Sequence, residues 1–295
     1  MRVLVTGTQG QVVRALLERG AAGGVAIEAL GRPDFDLLEP SRLVEAIGAS
    51  SADVIVNAAA YTAVDKAESE PEIATAINGA AAGAIARAAA LRGAPIIQLS
   101  TDYVFDGSLA RPYREDDPLA PISAYGRSKL AGEVAVAAAN PRHVILRTAW
   151  VHSPFGANFV KTMLRLGETR DTVRVVADQL GSPTSAFDIA DAILAIARRL
   201  AAEPGEASLH GVFHLVGSGE ANWADFAEAI FAEAQRFGRA PVAVERIATA
   251  DYPTPARRPA NSRLDTSRLR AVYGVTPPDW RASLAPCVER LIAGR

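Results

Sequence analysis

Short apolar runs alternate along the first half of the chain with longer stretches whose apolar residues recur at helical spacing. Residues 3–6 read as a buried strand, 11–19 as a helix, 25–30 as a second strand, and 40–47 as a helix with proline in its first turn. Residues 54–57 form a third strand, followed by a long Ala-rich helix over 73–91. Residues 95–100 are a fourth strand, 124–139 a helix and 144–147 a fifth strand. Continuous β-branched strands separated by helical stretches predict βαβ units and a parallel sheet buried on both faces. Right-handed crossovers make such a sheet doubly wound, so the expected fold class is α/β with Rossmann-type winding.

The rhythm loosens after Trp150. Residues 158–166 read as a helix, 173–176 as a strand, 188–200 as an amphipathic helix and 203–206 as a turn. A strand at 212–216, a helix at 222–237 and a strand at 242–247 follow. Pro253, Pro255 and Pro259 make 251–263 irregular, and a final helix covers 282–292. The 295 residues therefore divide into a dinucleotide-binding unit over 1–150 and a smaller α/β lobe over 151–295, mainly substrate-binding and partly interwoven with the first.

Composition narrows the function classes. With 49% apolar and 22% charged residues the chain is globular, and a net charge of −2 supplies no excess to neutralise a nucleic acid or hold an anionic membrane. A single cysteine, Cys287, excludes an intramolecular disulfide framework and a Cys-based zinc site. His210 and His214 are four apart on a predicted strand, where they share a face without forming a metal site. The apolar run at the N-terminus is too short for a signal h-region, and no window nears 18 apolar residues without a charge. A soluble, cytoplasmic protein is expected, with no nucleic acid or membrane partner. Only Lys66, Lys129 and Lys161 are lysines, so arginine supplies the other 28 basic residues and each lysine gains interest.

Gly7-x-x-Gly10 stands between the first strand and the first helix, where a dinucleotide-binding turn lets backbone approach a pyrophosphate at a helix N-terminus. Gly7, Gln9, Gly10 and Gln11 are the candidates for that contact, with Val13 where a third glycine would fall and close helix–strand packing in question there. No acid follows the second strand before Asp34. Arg32 suits a 2′-phosphate, which favours NADPH with NADH as the alternative, and Asp36 and Leu37 are candidates for the adenine end.

Tyr125 and Lys129 lie four apart and share one face of the predicted helix. A free tyrosine titrates near pH 10, poorly matched to proton transfer at neutrality. A cation about 5 Å away contributes about 3 kcal/mol at an effective dielectric near 20, enough to lower the phenol by roughly two pH units. Thr101 ends the fourth strand, and the glycine loop, Arg32, Ala58, Ala59, Ala60, Thr101 and Trp150 all follow successive strands toward one rim. In sheets of this kind that rim holds the ligand.

These segments resemble the extended short-chain dehydrogenase/reductases. Within them, the dTDP-4-dehydrorhamnose reductase family is the nearest likeness. The segments that carry it are Gly7-x-x-Gly10, the run from Asn57 to Glu68, Ser100-Thr101-Asp102-Tyr103-Val104-Phe105-Asp106-Gly107 and Tyr125-x-x-x-Lys129, of which the Tyr/Lys pair is shared across the superfamily and the run from Asn57 is much more specific. The narrower ones are Val64-Asp65-Lys66-Ala67-Glu68, Arg147-Thr148-Ala149-Trp150-Val151, Asn158-Phe159-Val160-Lys161-Thr162-Met163, Asp178-Gln179-x-Gly181-x-Pro183-Thr184 and Arg258-Pro259-x-Asn261-Ser262-Arg263-Leu264.

The resemblance implies reduction of the C4 keto group of dTDP-4-dehydro-L-rhamnose to dTDP-L-rhamnose. It implies that Tyr125 protonates the developing alkoxide, that Lys129 tunes Tyr125 and holds the cofactor ribose, and that Thr101 bonds the keto oxygen. Asp102, Tyr103 and Val104 would line the sugar, Trp150 would form an apolar wall, and Asn158, Arg258 and Arg263 would meet the nucleotide end of the dTDP-sugar. Tyr61 stands where the family carries histidine. Some members are magnesium-linked homodimers held through acidic residues on outer helices. No such set is legible here, so no catalytic metal is expected, while Mg2+ dependence and a homodimer stay open. The competing readings are another nucleotide-sugar epimerase or reductase of the superfamily, and a non-catalytic dinucleotide-binding regulatory subunit. The intact Thr101, Tyr125 and Lys129 weigh against the last.

Overall fold

A computed structural model describes residues 1–33 and 35–294, so Asp34 lies outside the described residues. β1 (Arg2–Thr6), β2 (Ala26–Leu30), β3 (Val54–Asn57), β4 (Ile96–Thr101) and β5 (His143–Thr148) join the strand Gly211–His214 in one all-parallel sheet. The order across it is Gly211–His214, β5, β4, β3, β1, β2. β1, β3, β4 and β5 are buried along almost their whole length, which is why they read as unbroken apolar runs; β2, at the edge, is more exposed. The winding reverses beside β1, because the chain runs outward to β2 and returns to β3 on the other side. The loops that follow β1 and β3 therefore part and open a crevice at the carboxyl ends of the strands.

Helix α1 (Gln11–Ala22) and the helix Ala186–Ala202 cover one face, where Val12, Leu16, Ile189, Ile193 and Ile196 pack on Val3, Val5 and Val54. α2 (Pro40–Ala49), the helix Pro71–Leu91 and the helix Ala124–Ala139 cover the other, with Leu43, Ile47, Ile85 and Val136 against Leu4, Ile55, Ile96 and Ile145. Pro71–Leu91 is long and apolar enough to cross a membrane by length and composition, and most of that stretch is buried in this core. It carries a π-helical turn at Ala76–Ala81. Gly132 allows the two long helices to meet: a Cβ there would lie 2.1 Å from the Asn78 carbonyl oxygen.

The second half builds another core, in which Val160, Met163, Phe226, Ile230, Trp280 and Leu284 join Val173 and Val175. The helices Phe159–Gly167, Trp223–Gln235 and Trp280–Ala293 surround a parallel pair of strands, Thr172–Val176 and Ala243–Ile247. The helix Ser267–Tyr273 and several two-residue strands are additions to the elements read from the sequence. Residues 252–263 hold no helix or extended strand, yet they are pinned. Leu180 pairs its backbone with Ala260 and Ser262 at 2.8 and 2.7 Å, and Tyr113 takes the Arg263 carbonyl at 2.8 Å.

Candidate active site

The turn after β1 needs its glycine: Gly7 has φ +96°, in the region that favours glycine. Gly10 directly precedes α1, and no side chain caps that helix end; Gln9 and Gly10 are exposed there. Uncapped N–H groups at an open helix N-terminus fit a pyrophosphate. Val13 does not hold the helix off the strand. It is 1% exposed and sits in the core, with its Cγ2 3.4 Å from where a Cβ on Gly7 would lie. Ala58 and Ala59 donate their N–H groups to the Thr6 hydroxyl at 3.1 Å each, and half-buried Ala60 follows them on the opposite wall of the crevice. At the end of β2 the Arg32 side chain is 79% exposed and 4.0 Å from Asp36, within reach of a phosphate there. Leu37 packs against the apolar cluster beneath α2. The Gln11 amide is directed elsewhere, accepting from the Ser153 hydroxyl at 2.7 Å and the Asn158 amide at 3.1 Å.

The helix Ala124–Ala139 starts with two caps. The Ser123 hydroxyl accepts from Gly126 N–H at 3.1 Å and a Glu68 carboxylate oxygen from Ala124 N–H at 2.7 Å. Gly126 brings the first turn against the loop after β4, since a Cβ would fall 2.2 Å from the Tyr103 carbonyl. Tyr125 then meets Tyr103 edge to face, with ring centroids 5.6 Å apart. Burial and the Asp102 charge push the Tyr125 phenol above its ordinary value, against a smaller downward pull from the neighbouring Thr101 hydroxyl. The expected lowering by Lys129 is therefore not what this geometry gives. Lys129 is 4% exposed, and its ammonium donates to the Leu99 carbonyl at 2.7 Å. Burial lowers its own pKa to about 8, against the opposing charge of Glu133.

Lys129 ends a buried polar chain that crosses three strands. The Thr6 hydroxyl donates to Asn57 at 2.6 Å, the Asn57 amide to Gln98 at 2.7 Å, and the Gln98 amide to the same Leu99 carbonyl at 2.8 Å. Beside it, Arg147 and Glu133 form a buried ion pair at 2.7 Å, with the Ser100 hydroxyl donating to Glu133. Sequence reasoning passed over Thr6, Gln98 and Glu133. For Thr6 and Gln98 the available signal was a polar residue in a strand buried on both faces, and for Glu133 a carboxylate on the buried side of the helix Ala124–Ala139, because a buried polar group must find a partner.

The remaining candidates separate. Asp102 and Tyr103 stay beside Thr101 and Tyr125. Asp102 accepts the Thr101 hydroxyl at 2.9 Å, has Ser262 alongside, and keeps its second carboxyl oxygen buried with no partner. Trp150 has φ +48°, rare for a non-glycine residue, and its ring stacks on Trp223 with centroids 3.6 Å apart. Val104 is fully buried among Phe105, Tyr113, Ala149, Val216 and Leu264, so its side chain belongs to the core. Asn158 caps the helix Phe159–Gly167 and spends its amide on Gln11, Ser153 and Phe155. Arg263 binds Glu220, Asn261 and the Ala110 carbonyl, tying loops together. Arg258 is paired with Asp65 at 2.9 Å. Among the described residues, no three His, Cys, Asp or Glu side chains gather as a metal site.

Comparison with known proteins covers nearly the whole chain. Residues 1–293 match the family model described as the RmlD substrate binding domain. The dTDP-4-dehydrorhamnose reductase of Sinorhizobium fredii is 53% identical over 292 residues, covering 99% of this chain and 98% of that protein. A dTDP-4-dehydrorhamnose reductase ortholog from Clostridium acetobutylicum superposes with a TM-score of 0.90 at 37% identity, over 99% of both chains. The Bacillus anthracis dTDP-4-dehydrorhamnose reductase, solved in complex with NADP, superposes at 0.89 with 34% identity, over 97% of this chain and 98% of that one.

Proposed function

The chain belongs to the RmlD substrate binding domain family of oxidoreductases, within the extended short-chain dehydrogenase/reductases, and on that premise we propose that it reduces dTDP-4-dehydro-L-rhamnose to dTDP-L-rhamnose with NADPH in the cytoplasm. The observation that carries the reading is the meeting of Thr101 and Tyr125 at the carboxyl end of β4, one helical turn from buried Lys129, in a chain so similar to its relatives along its length.

Gly7, the open N-terminus of α1 and Ala58–Ala60 would hold the dinucleotide, and Arg32 would meet its 2′-phosphate. Bound, the reduced nicotinamide supplies the hydride for the sugar C4. Tyr125 supplies the proton. A phenol raised by burial is fully protonated at neutral pH, and the alkoxide at C4 is a far stronger base than a phenolate, so transfer runs downhill. Thr101, beside Tyr125, can turn its hydroxyl from Asp102 to the C4 oxygen, giving the developing charge two donors. Lys129, protonated below about pH 8, holds a positive charge at the ribose side while anchored to Leu99.

The test is oxidation of NADPH in the presence of dTDP-4-dehydro-L-rhamnose made in situ. Folded protein that gives no turnover overturns the reading. Tyr125→Phe is expected to lower kcat by a factor of about 100 or more with cofactor binding retained. A kcat near that of the wild type removes Tyr125 from its role.

A further inference from the structure

We propose that residues 64–68 form a strut between the segment around Arg258 and the first turn of the helix Ala124–Ala139, making Asp65 and Glu68 positioning residues for Tyr125. The inference rests on Tyr125 being the proton donor. At one end a Glu68 carboxylate oxygen accepts from Ala124 N–H at 2.7 Å. Ala124 is the first residue of that helix and the direct neighbour of Tyr125, and a negative charge there is favoured by the helix dipole. In the middle, Ala67 is fully buried with Ala74 and Ala124, and the rings of Tyr61 and Tyr125 pack around them.

At the other end Asp65 receives the Arg258 guanidinium through both carboxylate oxygens, at 3.2 and 2.9 Å, and the Ala256 N–H at 3.2 Å. Arg258 also donates to the Thr254 hydroxyl and to the Ala256 carbonyl, so the loop behind it is drawn into the same clasp. Burial raises the Asp65 carboxyl, but the hydrogen bonds from Arg258 and Ala256 leave it below its ordinary value. Lys66 turns to Glu70 at 2.8 Å, and Glu70 accepts the Tyr61 hydroxyl at 2.8 Å, which braces the turn from the side.

Asp65 and Glu68 are three residues apart across the end of the one-turn helix Val64–Ala67, the spacing that puts side chains on one face. A turn that short moves as one piece. A ligand charge that draws Arg258 away from Asp65 shifts the strut, and the shift reaches the backbone amide next to Tyr125. An anion that engages Arg258 thereby bears on the proton donor, although Arg258 and Tyr125 are far apart in sequence.

The experiment uses the full-length protein and two readouts: steady-state kinetics, and hydrogen exchange of the backbone amides of residues 124–128. Glu68→Ala is expected to lower kcat about tenfold with NADPH affinity unchanged, while Glu68→Gln, whose amide oxygen still accepts, recovers most of the rate. Asp65→Ala is expected to speed exchange at 124–128, which Asp65 does not touch, and the double variant to lose little beyond Glu68→Ala. Independent, additive losses in the double variant, or exchange at 124–128 unchanged by Asp65→Ala, overturn the strut. Should Glu68→Ala fail to fold, the exchange comparison of Asp65→Ala and Glu68→Gln decides it. Tyr125→Phe measured alongside separates the premises: if it keeps its kcat, the donor assignment fails, and the exchange data still judge the strut.

Discussion

Lys129 carries a charge that its burial opposes, and the pH dependence of the enzyme should record the contest. With its pKa lowered to about 8 it is protonated below that value, so kcat/KM should fall as pH rises through about 8. A pH–rate profile of wild type against Lys129→Met checks this, because the variant should lose that limb. Asp102 is the opposite case: burial raises it to about 6, with hydrogen bonds from Ser262 and Thr101 opposing. A carboxyl with a raised native pKa stabilises the fold below its unfolded value near 4, and that stability is lost as pH climbs through about 6. Asp102→Asn should therefore gain about 3 kcal/mol relative to wild type at pH 8 and little at pH 4, measured by urea unfolding. That Tyr125, Lys129 and Thr101 lie near one another was legible, because a helix or strand end fixes where such side chains lie. Where Val104, Asn158 and Arg263 turn was not, because the backbone outside regular elements decides whether a side chain meets core, cap or loop, and no periodicity reports it.

The pairing of helices sets the next scale. Gly132→Ala would place a methyl 2.1 Å from the Asn78 carbonyl, and backbone cannot yield as a flexible side chain can. The variant should lose about 2–4 kcal/mol in chemical denaturation. Gly126→Ala, whose Cβ would meet the Tyr103 carbonyl at 2.2 Å, should instead cost kcat more than stability, because the first turn can lift away and carry Tyr125 with it. Helix and strand positions were read closely from apolar spacing, down to matched bounds for Val54–Asn57 and Ala124–Ala139. The π turn at Ala76–Ala81 left no trace, since an alanine-rich stretch satisfies many helical registers. The buried chain from Thr6 to Lys129 was hidden for another reason: Thr6, Asn57 and Gln98 belong to strands that only pairing makes neighbours, and Lys129 reaches them from a helix packed on the sheet.

Across the whole molecule, residues beyond 150 help build the layers around the first sheet. The helix Ala186–Ala202 covers Val12 and Leu16 of α1, and Gly211–His214 closes the sheet beside β5. A fragment of residues 1–150 should therefore aggregate or remain unfolded. Circular dichroism and gel filtration check it, and a monomeric fragment with a cooperative melt would count against this account.

The place of Gly211–His214 also sets a timetable for biogenesis. As the chain leaves the ribosome, β5 is complete while its neighbour is still unmade, and the wait lasts several seconds at about 5–20 residues per second. Throughout that interval β5 presents an apolar strand with free backbone groups, the surface that recruits other nascent chains. The finished enzyme no longer has that edge, so slower synthesis or added chaperone should raise the soluble fraction in rapid expression.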